Sequence, residues 1–204
     1  MTSYTLAPDG VYFSIQGEGH LRGFHMAFLR LAGCSVGCPG CDTNYTKSSR
    51  HETHELIEML NDVMPEKFRD RWGWITGGEP YDRDLLPLLR AMKAAGMSTA
   101  VATSGKHRAI HGVDWLSVSY HGGYPLLQRY GHELKLVEGL NGLDLERFAE
   151  EYPDDQIDFF YRYVQPMTVN GVESRESLER CQEFLSSRPN WSLSRQDHLL
   201  WEVR

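Results

Sequence analysis

The stretch from Arg30 to Thr43 reads Arg-Leu-Ala-Gly-Cys-Ser-Val-Gly-Cys-Pro-Gly-Cys-Asp-Thr, and it holds three of the four cysteines of the chain. Cys34, Cys38 and Cys41 follow the spacing C-x3-C-x2-C. Thiolates are soft donors that suit zinc, copper(I) and iron–sulfur clusters. A structural zinc site usually has a full set of four protein ligands. Three close thiolates therefore favour a [4Fe–4S] cluster with one iron left open for a substrate or cofactor.

A zinc site remains the alternative for this loop. A distant residue would then have to complete the tetrahedron, and the candidates are Cys181, His51 and His54. Cys181 also has a simpler interpretation, because a free cysteine on the apolar face of a helix is commonly a small core residue.

Composition narrows the class of protein. The 204 residues predict a single domain, residues 1–204, with enough chain to bury a core. A formal net charge of -7 argues against a protein that coats nucleic acid. No apolar run reaches the ~20 residues of a membrane helix, and the first residues lack a signal-peptide pattern. With three of four cysteines crowded together, we expect a cytoplasmic protein whose thiols stay reduced.

Apolar runs of strand length alternate with amphipathic segments, which is typical of βα units around a parallel sheet. The number of units is too small for a complete eight-stranded barrel and fits an α/β fold of the incomplete (βα)6-like TIM-barrel type. The predicted strands are Ala27–Leu31, Trp72–Thr76, Ser98–Ala102, Trp115–Ser119, Glu133–Val137 and Phe159–Val164, with late strands at Leu193 and His198–Val203. The predicted helices are Thr53–Met64, Asp82–Ala95, Asp144–Glu150 and Ser174–Ser187. Several later connections are short, so we expect a thinned outer layer of helices.

Polar or glycine-rich clusters follow the predicted strands. The carboxyl ends of parallel strands meet on one side of a βα fold, where functional groups gather. We therefore expect these clusters to face a single pocket. They are the cysteine loop, Thr76–Pro80, Thr103–Gly105, Ser119–His121 and Gln165–Thr168.

The cysteine spacing after a strand resembles the cluster loop of the radical S-adenosylmethionine (SAM) enzymes. Within that superfamily, Phe13–Gly19 (Phe-Ser-Ile-Gln-Gly-Glu-Gly) and Cys41-Asp42-Thr43 resemble the 7-carboxy-7-deazaguanine synthases. The resemblance runs in pieces from about Tyr12 to the C-terminus. It implies a radical SAM core with a [4Fe–4S] cluster, SAM and Mg²⁺ as cofactors.

The resemblance also implies roles for individual residues, none of them an acid–base catalyst. Cys34, Cys38 and Cys41 would hold the cluster, and Thr43 would bind Mg²⁺, a hard cation that prefers oxygen donors. We expect Mg²⁺ to bind mainly with the substrate present. The implied SAM contacts are Gly40, Cys41, Asp42, Gly78, Glu79, Ser119, Tyr120, His121, Gln165, Pro166, Met167 and Thr168. The implied substrate contacts are Ile15, Gln16, Gly17, Glu18, Arg30, Thr76 and Arg204.

Three departures from the family pattern indicate a divergent member. Gly40 stands where an aromatic residue usually precedes the third cysteine. Ser119-Tyr120-His121 replaces Ser-Pro-Lys and so lacks a lysine. Ala102-Thr103-Ser104-Gly105 replaces a Glu-Thr-Asn-Gly-like turn and so lacks a carboxylate. These changes bear on SAM placement and leave the three cysteines intact.

The implied activity is that of a carbon–nitrogen lyase in the pathway to queuosine and other 7-deazapurines. It converts 6-carboxy-5,6,7,8-tetrahydropterin to 7-carboxy-7-deazaguanine and releases ammonia, after a 5′-deoxyadenosyl radical removes hydrogen from C6 of the substrate. The implied partners are the pterin, an external flavodoxin- or ferredoxin-type electron donor and a second copy of the chain. The alternatives are an activase that installs a glycyl radical on another enzyme, and a non-catalytic binding module held by a metal.

Overall fold

The computed structural model describes residues 2–39, 41 and 44–203. Its main feature is a nine-stranded sheet in the order β11-β8-β7-β6-β5-β4-β2-β1-β3. The strands are β1 (Ser3–Ile15), β2 (His25–Leu31), β3 (Arg50–Glu52), β4 (Trp72–Gly77), β5 (Ser98–Thr103), β6 (Trp115–Tyr120), β7 (Tyr130–Glu138), β8 (Asp158–Pro166) and β11 (Ser192–Leu193). A small hairpin is formed by β9 (Thr168–Val169) and β10 (Val172–Glu173). From β2 to β8 and on to β11 the neighbouring strands are parallel, whereas β1 is antiparallel to both β2 and β3.

The helices are α1 (Thr53–Val63), α2 (Leu86–Ala94), α3 (Leu145–Glu151), α4 (Arg175–Leu185) and α5 (Asp197–Leu200), with 3-10 turns at Pro80–Asp82 and Leu140–Gly142. The connections at 104–114 and 121–129 are fully described and contain no helix. The expected thinning of the helical layer is therefore confirmed, and the six parallel strands from β2 to β8 form an incomplete barrel rather than a closed one.

Side chains alternate between the two faces of the sheet, as the two-residue period of a strand requires. Leu29, Ile75, Val101, Leu134 and Val164 point toward the helices and belong to the main hydrophobic core. The intervening residues face the other way. There, Tyr12, Phe28, Trp74 and Ala100 form a smaller apolar cluster with their neighbours.

Several segments differ from the sequence-based expectation, among them the short strands β3, β9 and β10, which were not predicted. The long N-terminal strand β1 was not predicted, because Pro8-Asp9-Gly10 interrupts its pattern and the β1–β2 register shifts between Leu6 and Val11. The late strand expected at His198–Val203 is wrong, since Asp197–Leu200 is helical. The backbone N–H of Asp197 donates to the carbonyl of Gly17, which fixes that segment as a turn.

None of the helices among the described residues combines the length and apolar character needed to cross a membrane.

Candidate active site

A cavity of about 570 Å³ opens on the inner face of the sheet, toward the carboxyl ends of the parallel strands. The strands contribute rows of side chains because their registers align. Arg30 of β2 is the register partner of Thr76 of β4, and Ser117 of β6 is the partner of Glu133 of β7. All four line the cavity, and the apolar rings of Tyr12, Phe28 and Trp74 line it as well.

The cysteine loop forms one wall of this cavity, to which Cys34, Cys38 and Cys41 all contribute. Asp82 holds the loop through the backbone N–H of Ser35 (2.7 Å) and its hydroxyl (2.6 Å). Arg83 donates to the carbonyl of Ala32 at 2.8 Å, and Lys106 donates to the carbonyl of Ser35 at 2.7 Å. The loop is therefore fixed to the βα connections that follow β4 and β5.

Gly77 and Gly78 allow the ends of β2 and β4 to approach each other closely. Gly77 has a φ of 109°, which favours glycine. A Cβ at Gly78 would lie 1.7 Å from the carbonyl oxygen of Gly33, at the start of the cysteine loop. A side chain at position 78 would thus push the cysteine loop away from β4.

Glu79 is almost fully buried, and four donors surround its carboxylate. Oε1 accepts from the Tyr81 backbone N–H at 3.0 Å and from the Thr103 hydroxyl at 2.7 Å. Oε2 accepts from the backbone N–H of Ser104 at 2.7 Å and from its hydroxyl at 2.5 Å. A carboxylate has about four acceptor sites, so this one is committed to holding the Thr103-Ser104 turn.

Cys38 is the most enclosed of the three loop cysteines, since Cys34 is half-buried and Cys41 is exposed. The Asn141 Nδ2 donates to Cys38 Sγ at 3.2 Å, and the His121 Nδ1 lies 3.4 Å from the same sulfur. Burial raises the pKa of the Cys38 thiol, and the Asn141 hydrogen bond partly opposes this rise. A metal that binds here therefore has to displace a proton at neutral pH.

The fit of a metal cluster rests on the chemistry of these donors. Within the described part of the chain, no group of three or more histidine, cysteine or carboxylate side chains converges closely enough to hold a metal ion. The three thiols nevertheless share one cavity wall, and a polar N–H group is directed at one of the sulfurs. The soft donor set fits an iron–sulfur cluster. The zinc alternatives Cys181, His51 and His54 do not line the cavity, and Cys181 belongs to the hydrophobic core.

The segment from Gln16 to His20 forms a second wall, whose residues Gln16, Gly17 and Glu18 line the cavity directly. Glu18 pairs with Lys135 of β7, and the Gln165 Nε2 lies 3.4 Å from the same carboxylate. Burial lowers the pKa of Lys135 to about 7, while the contact with Glu18 opposes that shift by favouring the charged amine. Glu18 is therefore held in one orientation by a cation and an amide before any ligand arrives.

Glu133 and the segment 194–198, called the C-terminal segment below, hold the Gln16–His20 wall at two further places. Glu133 accepts from the backbone N–H of His20 at 2.5 Å and from the Ser117 hydroxyl at 2.7 Å, and burial raises its pKa. Asp197 accepts from Arg22 at 2.5 Å. A Cβ on Gly17 would lie 2.5 Å from that of His198, so the two backbones are in direct contact.

Arg30 of β2 lines the same cavity as Lys135 of β7, and β6, β5 and β4 lie between the two strands in the sheet. The Nη1 of Arg30 donates to Asp9 at 3.0 Å, and its guanidinium lies 5.5 Å from the centre of the Tyr12 ring. Its Nε is buried and has no hydrogen-bond partner among the described residues. An unsatisfied buried donor is costly, so this N–H is available to an anionic ligand.

Most of the predicted site residues meet in this one cavity. Besides the three cysteines, the lining residues among them are Ile15, Gln16, Gly17, Glu18, Arg30, Thr76, Gly78, Glu79, Ser119, His121, Gln165, Met167 and Thr168. Tyr120 and Pro166 do not line it. The Tyr120 side chain points toward the helices, packs on Phe148 and donates to the carbonyl of Tyr124, because it alternates with Ser119 and His121. Gly40, Asp42, Thr43 and Arg204 lie outside the described residues, so their assigned roles stay predictions.

Sequence reasoning missed Glu133, Lys135, Asn141 and His198. A signal existed for the first two, because charged residues at alternate positions of an otherwise apolar strand share one face. Asn141 gives no such signal. It has a φ of 53° in a turn between β7 and α3, and only the folded structure brings it to Cys38.

Comparison with known proteins agrees with this geometry. No model of a known protein family matches the chain. A 7-carboxy-7-deazaguanine synthase from Bradyrhizobium diazoefficiens is 32% identical over 95% of this chain and 97% of the relative. The synthase of the same name from Escherichia coli K12 is 28% identical over 92% and 94%.

A solved structure supports the same relationship. The crystal structure of QueE from Escherichia coli superimposes with a TM-score of 0.71 at 25% identity, covering 95% of this chain and 94% of the other. The incomplete barrel predicted from the number of βα units is thereby confirmed. With a relative above 30% identity that matches nearly the whole of both chains, this protein belongs to the 7-carboxy-7-deazaguanine synthase family of radical SAM enzymes.

Proposed function

We propose that the chain converts 6-carboxy-5,6,7,8-tetrahydropterin to 7-carboxy-7-deazaguanine with release of ammonia. The reaction is balanced by the loss of ammonia alone, so it needs no net oxidant or reductant. The observation that supports it best is the shared cavity, which the three cysteines line together with Gln16, Gly17 and Glu18. The relatives carry the synthase name, which favours this activity over a glycyl-radical activase or a non-catalytic binding module.

Cys34, Cys38 and Cys41 would hold a [4Fe–4S] cluster, with SAM beside Gly78 and the β6 and β8 strand ends. When bound and reduced, that pair supplies the radical that takes hydrogen from the substrate. The protein's own part is to position the reactants. Glu79 fixes the Thr103-Ser104 turn, and the carbonyl groups near Gly78 would accept hydrogen bonds from the methionyl ammonium group. The apolar rings of the cavity floor exclude water.

The charged groups of the two walls suggest an orientation for the substrate. The carboxylate of the pterin would pair with Arg30, whose buried Nε has no partner among the described residues. The pyrimidine edge carries N–H donors and would face Glu18 and Gln16, which can accept them. Lys135 prevents Glu18 from turning away. Thr76, in register with Arg30, would contact the ring between these two ends.

The remaining parts of the proposal follow from the family. Thr43 would bind Mg²⁺ together with the carboxylate of the substrate, and Arg204 would close the cavity. The chain would act as one domain, an assignment supported by the continuous sheet. It would pair as a homodimer, work in the cytoplasm and receive its electron from a flavodoxin- or ferredoxin-type protein.

Anaerobic reconstitution followed by an activity assay tests the function. The protein, with iron and sulfide counted and the cluster verified by EPR, is reduced with dithionite and incubated with the pterin, SAM and Mg²⁺. We expect 7-carboxy-7-deazaguanine and ammonia in equal amounts. An intact, reduced cluster that yields no deazaguanine would refute the proposal, and a preparation with one zinc and no iron would favour the binding module.

A further inference from the structure

A second cavity, of about 380 Å³, adjoins the base of the cysteine loop. We call it the basic cleft. Its walls come from the first residues of β1, the start of the cysteine loop, the segment before β3 and the turn after β4. Among the described residues, none of the substrate or SAM contacts assigned above lines it, whereas Cys34, one of the three proposed cluster ligands, does.

The basic cleft carries a positive charge on an acidic protein. Lys47, Arg50 and Arg83 line it, and Asp82 is the only carboxylate among the described residues that do so. Asp82 is already engaged by Ser35 and by His107, whose Nε2 lies 3.0 Å away. The chain as a whole has a net charge of -7. The cleft is therefore a local attractor for anions on a surface that otherwise repels them.

The three cationic side chains of the cleft differ in their burial and in their contacts. Arg83 is half-buried, and it donates to the carbonyls of Ala32 and Gly33, so it also supports the loop. Lys47 and Arg50 are exposed at the rim. Arg50 makes a hydrogen bond of 2.7 Å to the hydroxyl of Ser3, and it has no ion-pair partner among the described residues. Exposed charges of this kind steer the encounter with a partner more than they strengthen the final complex.

Cys34 lines both the basic cleft and the main cavity. It is the one proposed cluster ligand that does so. A group held by the loop cysteines would thus be reached from the cleft through the Cys34 side chain, while the substrate occupies the other cavity. Electron transfer weakens steeply with distance, so a donor has to approach the cluster where the protein wall is thinnest.

We propose that the basic cleft is the docking and electron-entry surface for an acidic, low-potential one-electron carrier protein of the flavodoxin or ferredoxin class. This inference rests on the proposed function, because it needs a cluster at the loop cysteines. One electron leaves the carrier, which is oxidised by one unit, and reduces the cluster from the 2+ to the 1+ state. No proton or group is transferred. A small inorganic anion would match the charge of the cleft but has no electron to give.

Charge reversal at the rim tests the proposal. The reconstituted Lys47→Glu/Arg50→Glu variant is compared with the wild type in two measurements at low salt. These are the dissociation constant for an oxidised bacterial flavodoxin, and the rate at which the hydroquinone form of that flavodoxin reduces the cluster. Arg147→Glu/Arg175→Glu is the matched control, since it reverses two exposed charges on α3 and α4.

We expect the rim variant to bind flavodoxin at least about tenfold more weakly and to be reduced at least about tenfold more slowly. This difference should shrink at high salt. Reduction by dithionite should be unchanged in both variants, and the control should match the wild type within about twofold. An unaffected rim variant, or a control that loses as much, would overturn the proposal. The proposal would also be overturned if inorganic phosphate binds the wild-type cleft without displacing flavodoxin.

The measurements distinguish a failure of the docking proposal from a failure of the proposed function. If dithionite-reduced wild type makes no deazaguanine, the proposed function fails, while flavodoxin binding and cluster reduction still report on the cleft. If product forms with dithionite and flavodoxin reduces the rim variant normally, only the docking proposal fails.

Discussion

The cysteine loop and the Gln16–His20 loop both contribute to the cavity, and they are built in different ways. The Gln16–His20 loop is held by side chains from β7 and β8 and by the C-terminal segment, and its key carboxylate is paired before any ligand binds. The cysteine loop is held mainly at its base, by Asp82, Arg83 and Lys106, and Cys41 is exposed. The Gln16–His20 loop, which we call the substrate wall, is therefore held in place by the protein before a ligand binds. The cysteine loop, which we call the metal wall, depends on the metal to complete it.

The largest effect should come from the metal wall. Cys38→Ser removes the most enclosed thiolate, and we expect it to abolish SAM cleavage and lower the iron content. If the two walls are independent, the affinity for the pterin should stay within about twofold, since the Glu18–Lys135 pair is untouched. Iron counting and a pterin titration measure both effects. A large loss of pterin affinity would show that the substrate wall also needs the cluster.

Lys135→Met should have the next largest effect, this time on the substrate wall. It leaves the Glu18 carboxylate half-enclosed without its cation, and breaking a buried pair costs about 3 kcal/mol. We expect this loss in the free energy of unfolding, together with weaker pterin binding and unchanged iron content. Glu18→Gln/Lys135→Met removes both charges and should recover most of the stability. Equal stability of the single variant and the wild type would contradict the assigned pairing.

A pair of alanine substitutions compares the loops directly. Gly17→Ala would force a Cβ against the backbone of His198, and we expect about a tenfold rise in KM for the pterin at constant iron content. Gly37→Ala meets no atom within 4 Å but keeps a φ of 64°. It should cost about 1 kcal/mol of stability, with KM unchanged. An unchanged KM in Gly17→Ala would mean that the C-terminal segment does not shape the substrate wall.

The smallest effect concerns the pH dependence of stability. Burial raises the pKa of Glu133 above its ordinary value of 4.5, so the folded state binds this proton more tightly than the unfolded state. The contribution of Glu133 to stability therefore falls as the pH rises from 4.5 toward the folded pKa. Glu133→Gln should remove that slope and gain about 1 kcal/mol relative to the wild type across this window. Denaturant unfolding at several pH values measures the difference. If the free energy of unfolding depends on pH in the same way in the wild type and in Glu133→Gln, the pKa of Glu133 is not raised in the folded state.

The sequence predicted the parallel core of the fold and most of the cavity lining. Strand-length apolar runs and the polar groups after them are local signals, and they located the parallel strands β2 and β4 to β8 within a few residues. The β1 strand was missed because a Pro-Asp-Gly interruption hides its pairing with β2. The partners that hold the site, such as Lys135 and Asn141, depend on contacts between distant segments. Such contacts follow from strand register and turn geometry rather than from any motif.

The anchors of the cysteine loop have a consequence for assembly in the cell. The anchoring residues all belong to the first part of the chain, which leaves the ribosome first. They are Thr5, Asp82, Arg83 and Lys106. The Gln16–His20 loop is held by Ser194 and Asp197, which are synthesised near the end of the chain. The residues that hold the base of the cysteine loop are thus synthesised before those that complete the pterin pocket.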